Sequence, residues 1–296
     1  MINYTDRISA LVRDIVARVP ALGHLDPADL LIFGRYGRSR AAGAYATCHC
    51  LTLPPTDPGY YFWCDKRSGR MTRRSEWFVT KSPQVSVGGR PVHYLISFAL
   101  PRFCDQALDQ SRKRRFYAAA PSWIAKLDTI IHELYHVDPG RGGLRKAERR
   151  DGSVAAALHG RHFLENVAAM VRQYLDSRPD PGMYDFLRYG FVELGERFGR
   201  VTATTFRTFP SFPQRYLETL GAQPPAPPCD SIQPLRQPHL PTVYTERDLV
   251  TRVFLPLGTA PAGRSDALRH RHRRRNRTMT RDALAPRLIA EALTEA

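Results

Sequence analysis

Residues 132–136 read His-Glu-Leu-Tyr-His, and this H-E-x-x-H pattern constrains the fold more than any other part of the chain. It has chemical meaning only on a helix. One turn separates positions i and i+4, so His132 and His136 point from the same face and can share one metal ion. Glu133 stands beside them as a candidate general base. With ten His and ten Glu among 296 residues, chance places this pattern in about one such chain in a hundred. The motif therefore needs support from its surroundings.

The flanking residues provide it. Pro121 suits a first helical turn. Ile124, Leu127, Ile131 and Leu134 recur at helical spacing and predict the buried face. Asp138-Pro139-Gly140 predicts a stop near Val137. Catalytic zinc sites commonly use three protein ligands and leave one position open. Candidates for the third ligand lie in His159-Gly160-Arg161-His162-Phe163, which opens a second helical pattern. Its apolar face is Phe163, Val167, Met170, Val171 and Tyr174. His162 competes with His159 for the place. Glu165 is a further rival, almost two turns past His159. Between the motifs, residues 138–151 are rich in Gly and Arg and read as a loop.

H-E-x-x-H followed by H-G-x-x-F resembles the SprT-like zinc metallopeptidases, which include the Spartan proteases. The resemblance covers about residues 124–174 and fits a bacterial or phage-type member. It implies that His132, His136 and His159 bind zinc and that Glu133 is catalytic, so it selects His159 over its rivals. Here 22 residues separate His136 from His159, and the tandem-Cys zinc ribbon often found after that domain is absent.

Strand-like stretches precede the motif. They are Leu30 to Phe33, residues 44–53, Tyr60 to Trp63, Trp77 to Val79, and residues 92–98. An earlier helix is expected from Ile8, Leu11, Val12, Ile15, Val16 and Val19. Strands, then the motif helix, then a second helix is the order of an α+β, zincin-like fold. The expected architecture is a small antiparallel or mixed sheet packed on the H-E-x-x-H helix. Residues 186–198 and 201–209 are expected to form strands or to cover the cleft. Tyr184, Arg188 and Tyr189 are candidates for stabilising an oxyanion, with nothing to choose among them.

Cys48 and Cys50 fall on one face of a strand. Their spacing with Cys64 is not that of a zinc knuckle, so buried thiols acting as small hydrophobes are expected. Cys104 and Cys229 are isolated, which suits a reduced compartment.

The formal net charge is +16, and eight arginines between Arg264 and Arg281 face the single Asp266. Such a stretch cannot bury apolar surface. The expected division is a zincin-like domain over residues 1–222, then a Pro-rich linker and a disordered, Arg-rich tail over residues 223–296. On composition alone, ending the chain after Pro228 leaves the domain whole. The tail is a candidate surface for DNA or RNA through phosphate contacts. Ser111 to Arg115 is a second basic run, expected to be a solvated loop. No apolar run approaches the ~20 residues of a membrane helix. No signal-type h-region opens the chain, so a cytoplasmic location is expected. No Gly-rich phosphate loop is present, which argues against ATP-driven work.

The functional expectation is a zinc-dependent metallopeptidase with Glu133 as general base, acting on a protein or peptide substrate. The alternatives are a zinc hydrolase acting on a non-peptide amide, and a nucleic-acid-associated protein with a structural zinc.

Overall fold

The computed structural model describes residues 1–39, 41–52, 60–62, 77–108, 113–117, 120–140, 142–145, 159–207, 213, 216–220, 230–231 and 243–255. The strands are β1 (Ile2–Asn3), β2 (Leu30–Gly37), β3 (Ala46–Cys50), β4 (Tyr60–Phe62), β5 (Trp77–Lys81), β6 (Gln84–Val87), β7 (Arg90–Pro91), β8 (Tyr94–Pro101), β9 (Val201–Phe206), β10 (Tyr216–Leu220), β11 (Asp230–Ser231), β12 (Val243–Tyr244) and β13 (Leu249–Phe254). The helices are α1 (Tyr4–Arg18), α2 (Arg114–Tyr117), α3 (Ile124–Tyr135), α4 (Arg161–Asp176), α5 (Pro181–Tyr184) and α6 (Phe191–Phe198). The protein is α+β with small mixed sheets.

Two compact units emerge, and they interleave along the chain. One comprises Met1–Asp57, Ser82–Arg215 and Pro241–Pro256; the other comprises Pro58–Lys81, Tyr216–Leu240 and Leu257–Ala296. The first unit therefore takes back chain beyond residue 222. In the second, β10, β5, β4 and β11 form a four-stranded sheet. The Pro-rich linker at 224–228 and the Arg264 to Arg281 stretch lie outside the described residues.

The first unit is built around β8. All eight of its residues are buried, as expected of a strand covered on both faces. β2 pairs with it in parallel, from Leu30 opposite Tyr94 to Gly37 opposite Pro101. β3 pairs antiparallel on the other side, from Ala46 opposite Phe98 to Cys50 opposite Tyr94. Because side chains alternate, Ile96, Phe98 and Leu100 join the main core with α1, α3 and α4. Leu95 turns the other way, into a smaller core with Phe33, Val85, Phe206 and Tyr244. Cys48 and Cys50 are buried, free thiols on the α3 side of β3.

β9 lies between β1 and β13 in a second sheet. β2 approaches β9 so closely that a Cβ on Gly34 would stand 2.7 Å from the Cβ of Ala203. Only glycine fits there without displacing a strand. Residues 186–198 do not form strands. A 3-10 turn over Asp185–Arg188 leads into α6, and Val201–Phe206 is extended, while residues 208 and 209 lie outside the described residues. None of the described helices is long and apolar enough to cross a membrane.

α3 departs from the amphipathic expectation. Every residue from Ile124 to Ile131 is buried, including Lys126, Asp128 and Thr129. Buried polar groups must be met by partners, and these are. Lys126 Nζ donates to the Tyr189 carbonyl (2.8 Å). Tyr117 Oη donates to Asp128 Oδ2 (2.5 Å), and Thr129 Oγ1 donates to Gln106 Oε1 (3.0 Å). Lys113 Nζ stands 2.6 Å from Asp128 Oδ1 and donates to Thr129 Oγ1 at 2.6 Å. Lys113 is thus no solvated loop residue. Arg114 and Arg115, which follow it on α2, are exposed.

Candidate metal centre

α3 carries His132 on its last turn, His136 caps its C-terminus, and His159 precedes α4 by two residues. The Ile124, Leu127, Ile131 and Leu134 stripe anchors α3 in the core, while Phe163, Val167, Met170, Val171 and Tyr174 anchor α4. Packing these faces together brings the three imidazoles to one point. The Nε2–Nε2 separations are 3.0 Å for His132 and His159, 3.1 Å for His132 and His136, and 2.8 Å for His136 and His159. These lie near the roughly 3.3 Å expected of nitrogens about 2.05 Å from one tetrahedral ion. The cluster could hold a metal ion.

The chemistry of the donors fits a cation. Burial, then the neighbouring His136, Lys113 and His159, hold His132 well below the usual imidazole range. Burial, His159 and Arg145 push His136 down to about 3. Partial desolvation beside the other two rings lowers His159 as well, although its side chain reaches solvent. All three are neutral at physiological pH, which is the form that ligates metal. Their Nε2 atoms crowd one another, and a shared cation would turn that crowding into attraction. The Nδ1 atoms of His132 and His136 are buried without a hydrogen-bond partner among the described residues.

Phe163 packs against all three rings. Its ring centroid lies 5.1, 4.9 and 5.4 Å from those of His132, His136 and His159. It stands one turn beyond His159, which gives the Phe of H-G-x-x-F a physical role as the wall behind the ligands. Periodicity alone marked it only as a core residue. Phe163→Ala would open a cavity against all three rings. We expect it to lower metal affinity about 10–100-fold, the range for lost support around ligands, with a stability loss of about 3–5 kcal/mol. Competition with a chromophoric chelator and thermal melting measure the two effects; an unchanged affinity would deny Phe163 this role.

The rivals for the third place stand elsewhere. His162 is exposed, and Glu165 pairs with Arg161 at 2.8 Å. Among the described residues, no fourth His, Cys, Asp or Glu joins the cluster.

Glu133 is 6% exposed. Burial raises its carboxyl to about 7, while Lys113, the backbone N–H of Cys48 and Arg35 hold the rise back. The carboxyl thus lies against β3 with two cations in range. Neither Lys113 nor Arg35 stands out in sequence, since both belong to Arg- and Lys-rich stretches. Arg145 was also hidden, in the loop between the motifs. Its backbone N–H donates to the His136 carbonyl (2.8 Å), its Nε donates to the Tyr135 carbonyl (2.9 Å), and its guanidinium lies 4.4 Å from the Tyr135 ring centre. A cation closing a helix C-terminus satisfies free carbonyls and suits the helix dipole.

The three oxyanion candidates are not brought to the histidines. Tyr184 stacks on Trp123 with ring centres 5.1 Å apart, and Arg188 lies over both rings. Trp123 is nine residues before His132, about 13 Å along the helix. Tyr189 packs under Arg197 and gives its carbonyl to Lys126.

No protein-family model, no curated protein and no solved structure matches the chain.

Proposed function

We propose that the protein is a zinc-dependent peptidase with a zincin-like catalytic unit. The observation that carries this reading is the convergence of three neutral imidazoles from H-E-x-x-H and H-G-x-x-F, next to a buried glutamate. Zinc suits an all-imidazole set of three, and when bound it supplies Lewis-acid polarisation of water and of a scissile carbonyl. His132, His136 and His159 would hold it. Three protein ligands would leave a position for reactants, as catalytic zinc sites do.

Glu133 takes the proton from the attacking water onto its carboxylate and returns it to the leaving nitrogen. An affinity for protons near neutrality matches that double duty. The Cys48 N–H orients the carboxylate, and the charges of Lys113 and Arg35 help keep it ionisable despite burial.

β3 supports a peptide substrate over other amides. Ala99 N–H donates to the Tyr45 carbonyl and Leu51 N–H to the His93 carbonyl, so the odd-numbered residues face β8. By alternation, the N–H and C=O groups of Ala46, Cys48 and Cys50 face outward. Among the described strands, β3 is at the edge of its sheet. An extended chain laid along that edge would pass Glu133 at Cys48. DNA or RNA at the Arg264 to Arg281 stretch remains a separate proposal, resting on charge alone.

The test is cleavage of an unfolded protein such as casein by zinc-loaded protein. Activity should vanish with a chelator, return with zinc, and be absent from Glu133→Gln. Cleavage that survives both treatments would refute the reading, as would a zinc-loaded protein that cuts nothing.

A further inference from the structure

Just before β3, two guanidiniums converge on one carbonyl, and no carboxylate among the described residues forms an ion pair with either. Arg35, on β2, donates from Nε to Ser97 Oγ (3.2 Å) and from Nη2 to the Ala44 carbonyl (3.1 Å). Arg102, just past β8, donates from Nε to the Arg38 carbonyl (3.1 Å) and from Nη1 to the same Ala44 carbonyl (3.3 Å). Neither forms an ion pair with any described residue. One neutral oxygen cannot balance two cations. Burial, and then the charge of Arg102, lower the proton affinity of Arg35, and the Glu133 carboxylate offsets part of that.

The arrangement is built rather than incidental. Gly43 has φ +119°, and a Cβ there would stand 2.7 Å from Arg102 Nη1. A side chain at 43 would therefore displace the guanidinium. Nη1 of Arg35 and Nη2 of Arg102 keep N–H groups that no described acceptor takes. Forked, pre-aimed N–H groups are what a carboxylate binds best.

Position decides which carboxylate. Ala44 lies two residues before β3. A peptide added antiparallel to β3 runs against it, so its C-terminal end reaches Ala44. From Cys48, beside Glu133, to Ala44 is about 13 Å of extended chain, or about four residues. We propose that Arg35 and Arg102 bind a carboxylate of the substrate peptide downstream of the cut bond, on an Asp or Glu side chain or at the peptide C-terminus. This rests on the peptidase reading and deepens it to acidic substrates. The net charge of +16 works in the same direction by drawing acidic chains to the protein.

The test is binding, read by fluorescence anisotropy on zinc-loaded Glu133→Gln protein so that nothing is cut. Three short peptides share one neutral sequence: one carries two Asp near an amidated C-terminus, one has a free C-terminus only, and one has neither. At least one carboxylate peptide should bind about tenfold or more tightly than the neutral amide, and the arm that does so names the source. Adding Arg102→Gln should bring the ratio to about one. Arg102→Lys, which keeps charge and stem, should leave an intermediate ratio and guards against a folding artefact. Equal binding of all three peptides would overturn the inference, as would a preference that Arg102→Gln leaves intact. Cleavage by the wild-type protein is scored separately. Cutting without carboxylate preference refutes this inference and spares the peptidase reading, while carboxylate-dependent binding without cutting does the reverse.

Discussion

Glu133→Gln will remove hydrolysis, keep the metal, and make the metal-free fold more stable. Gln has the same shape and takes no proton, so the loss should fall in the range of about a hundred- to ten-thousandfold for a missing general base. The ligands His132, His136 and His159 are untouched, so zinc content should not change. The stability effect follows from the raised carboxyl. In the unfolded chain Glu133 titrates at its ordinary value of 4.5, and in the fold at about 7. Between these values the folded state binds more protons, so this residue's contribution falls as pH rises through that window. Above about pH 7 the full cost is present, on the order of 3 kcal/mol. Chelator-treated Glu133→Gln should therefore melt above chelator-treated wild type at pH 8, with the two converging near pH 4. A variant that loses stability at pH 8 would show that the carboxylate is satisfied where it lies.

Ending the chain after Pro228 will unfold the unit that holds the histidines. Composition points the other way, because everything beyond is rich in Pro and Arg. Yet β13 pairs with β9 along its whole length, from Leu249 opposite Phe206 to Phe254 opposite Val201. Tyr244 and Phe254 are buried, the first in the smaller core and the second in the main one. Removing them exposes Phe206 and Ala203 and leaves β9 without its neighbour on one side. Each lost aromatic alone is worth about 3–5 kcal/mol, against a total of about 5–15 kcal/mol for an ordinary domain. The truncated chain should be insoluble or lack a cooperative melt. Retained wild-type melting and zinc binding would mean that β13 is dispensable.

The parts of the site that were legible in sequence are those encoded within one helix. His132, Glu133 and His136 share a turn, and the stripes on α3 and α4 repeat at helical period. The start of the second stripe offered both His159 and His162, and only the H-G-x-x-F resemblance favoured His159. What stayed hidden depends on contacts between distant residues. Full burial of α3 contradicts an amphipathic reading of Lys126, Asp128 and Thr129, since their partners Tyr189, Tyr117, Lys113 and Gln106 come from other segments. α6 is short and carries Gly195 inside it, which weakens a helical signal. Arg35 and Arg102 are 67 positions apart, and only the pairing of β2 and β3 with β8 brings them to one carbonyl.

Metal stoichiometry tests the central claim most directly. Protein stripped with chelator and reloaded with zinc should hold one ion per chain by mass spectrometry of the metal. His132→Ala and His159→Ala should each lose affinity by more than the roughly 10–100-fold typical of outer-shell changes, while His162→Ala should bind like wild type. A wild-type chain that takes up no stoichiometric metal, or a His132→Ala chain that holds it as tightly as before, would contradict the account.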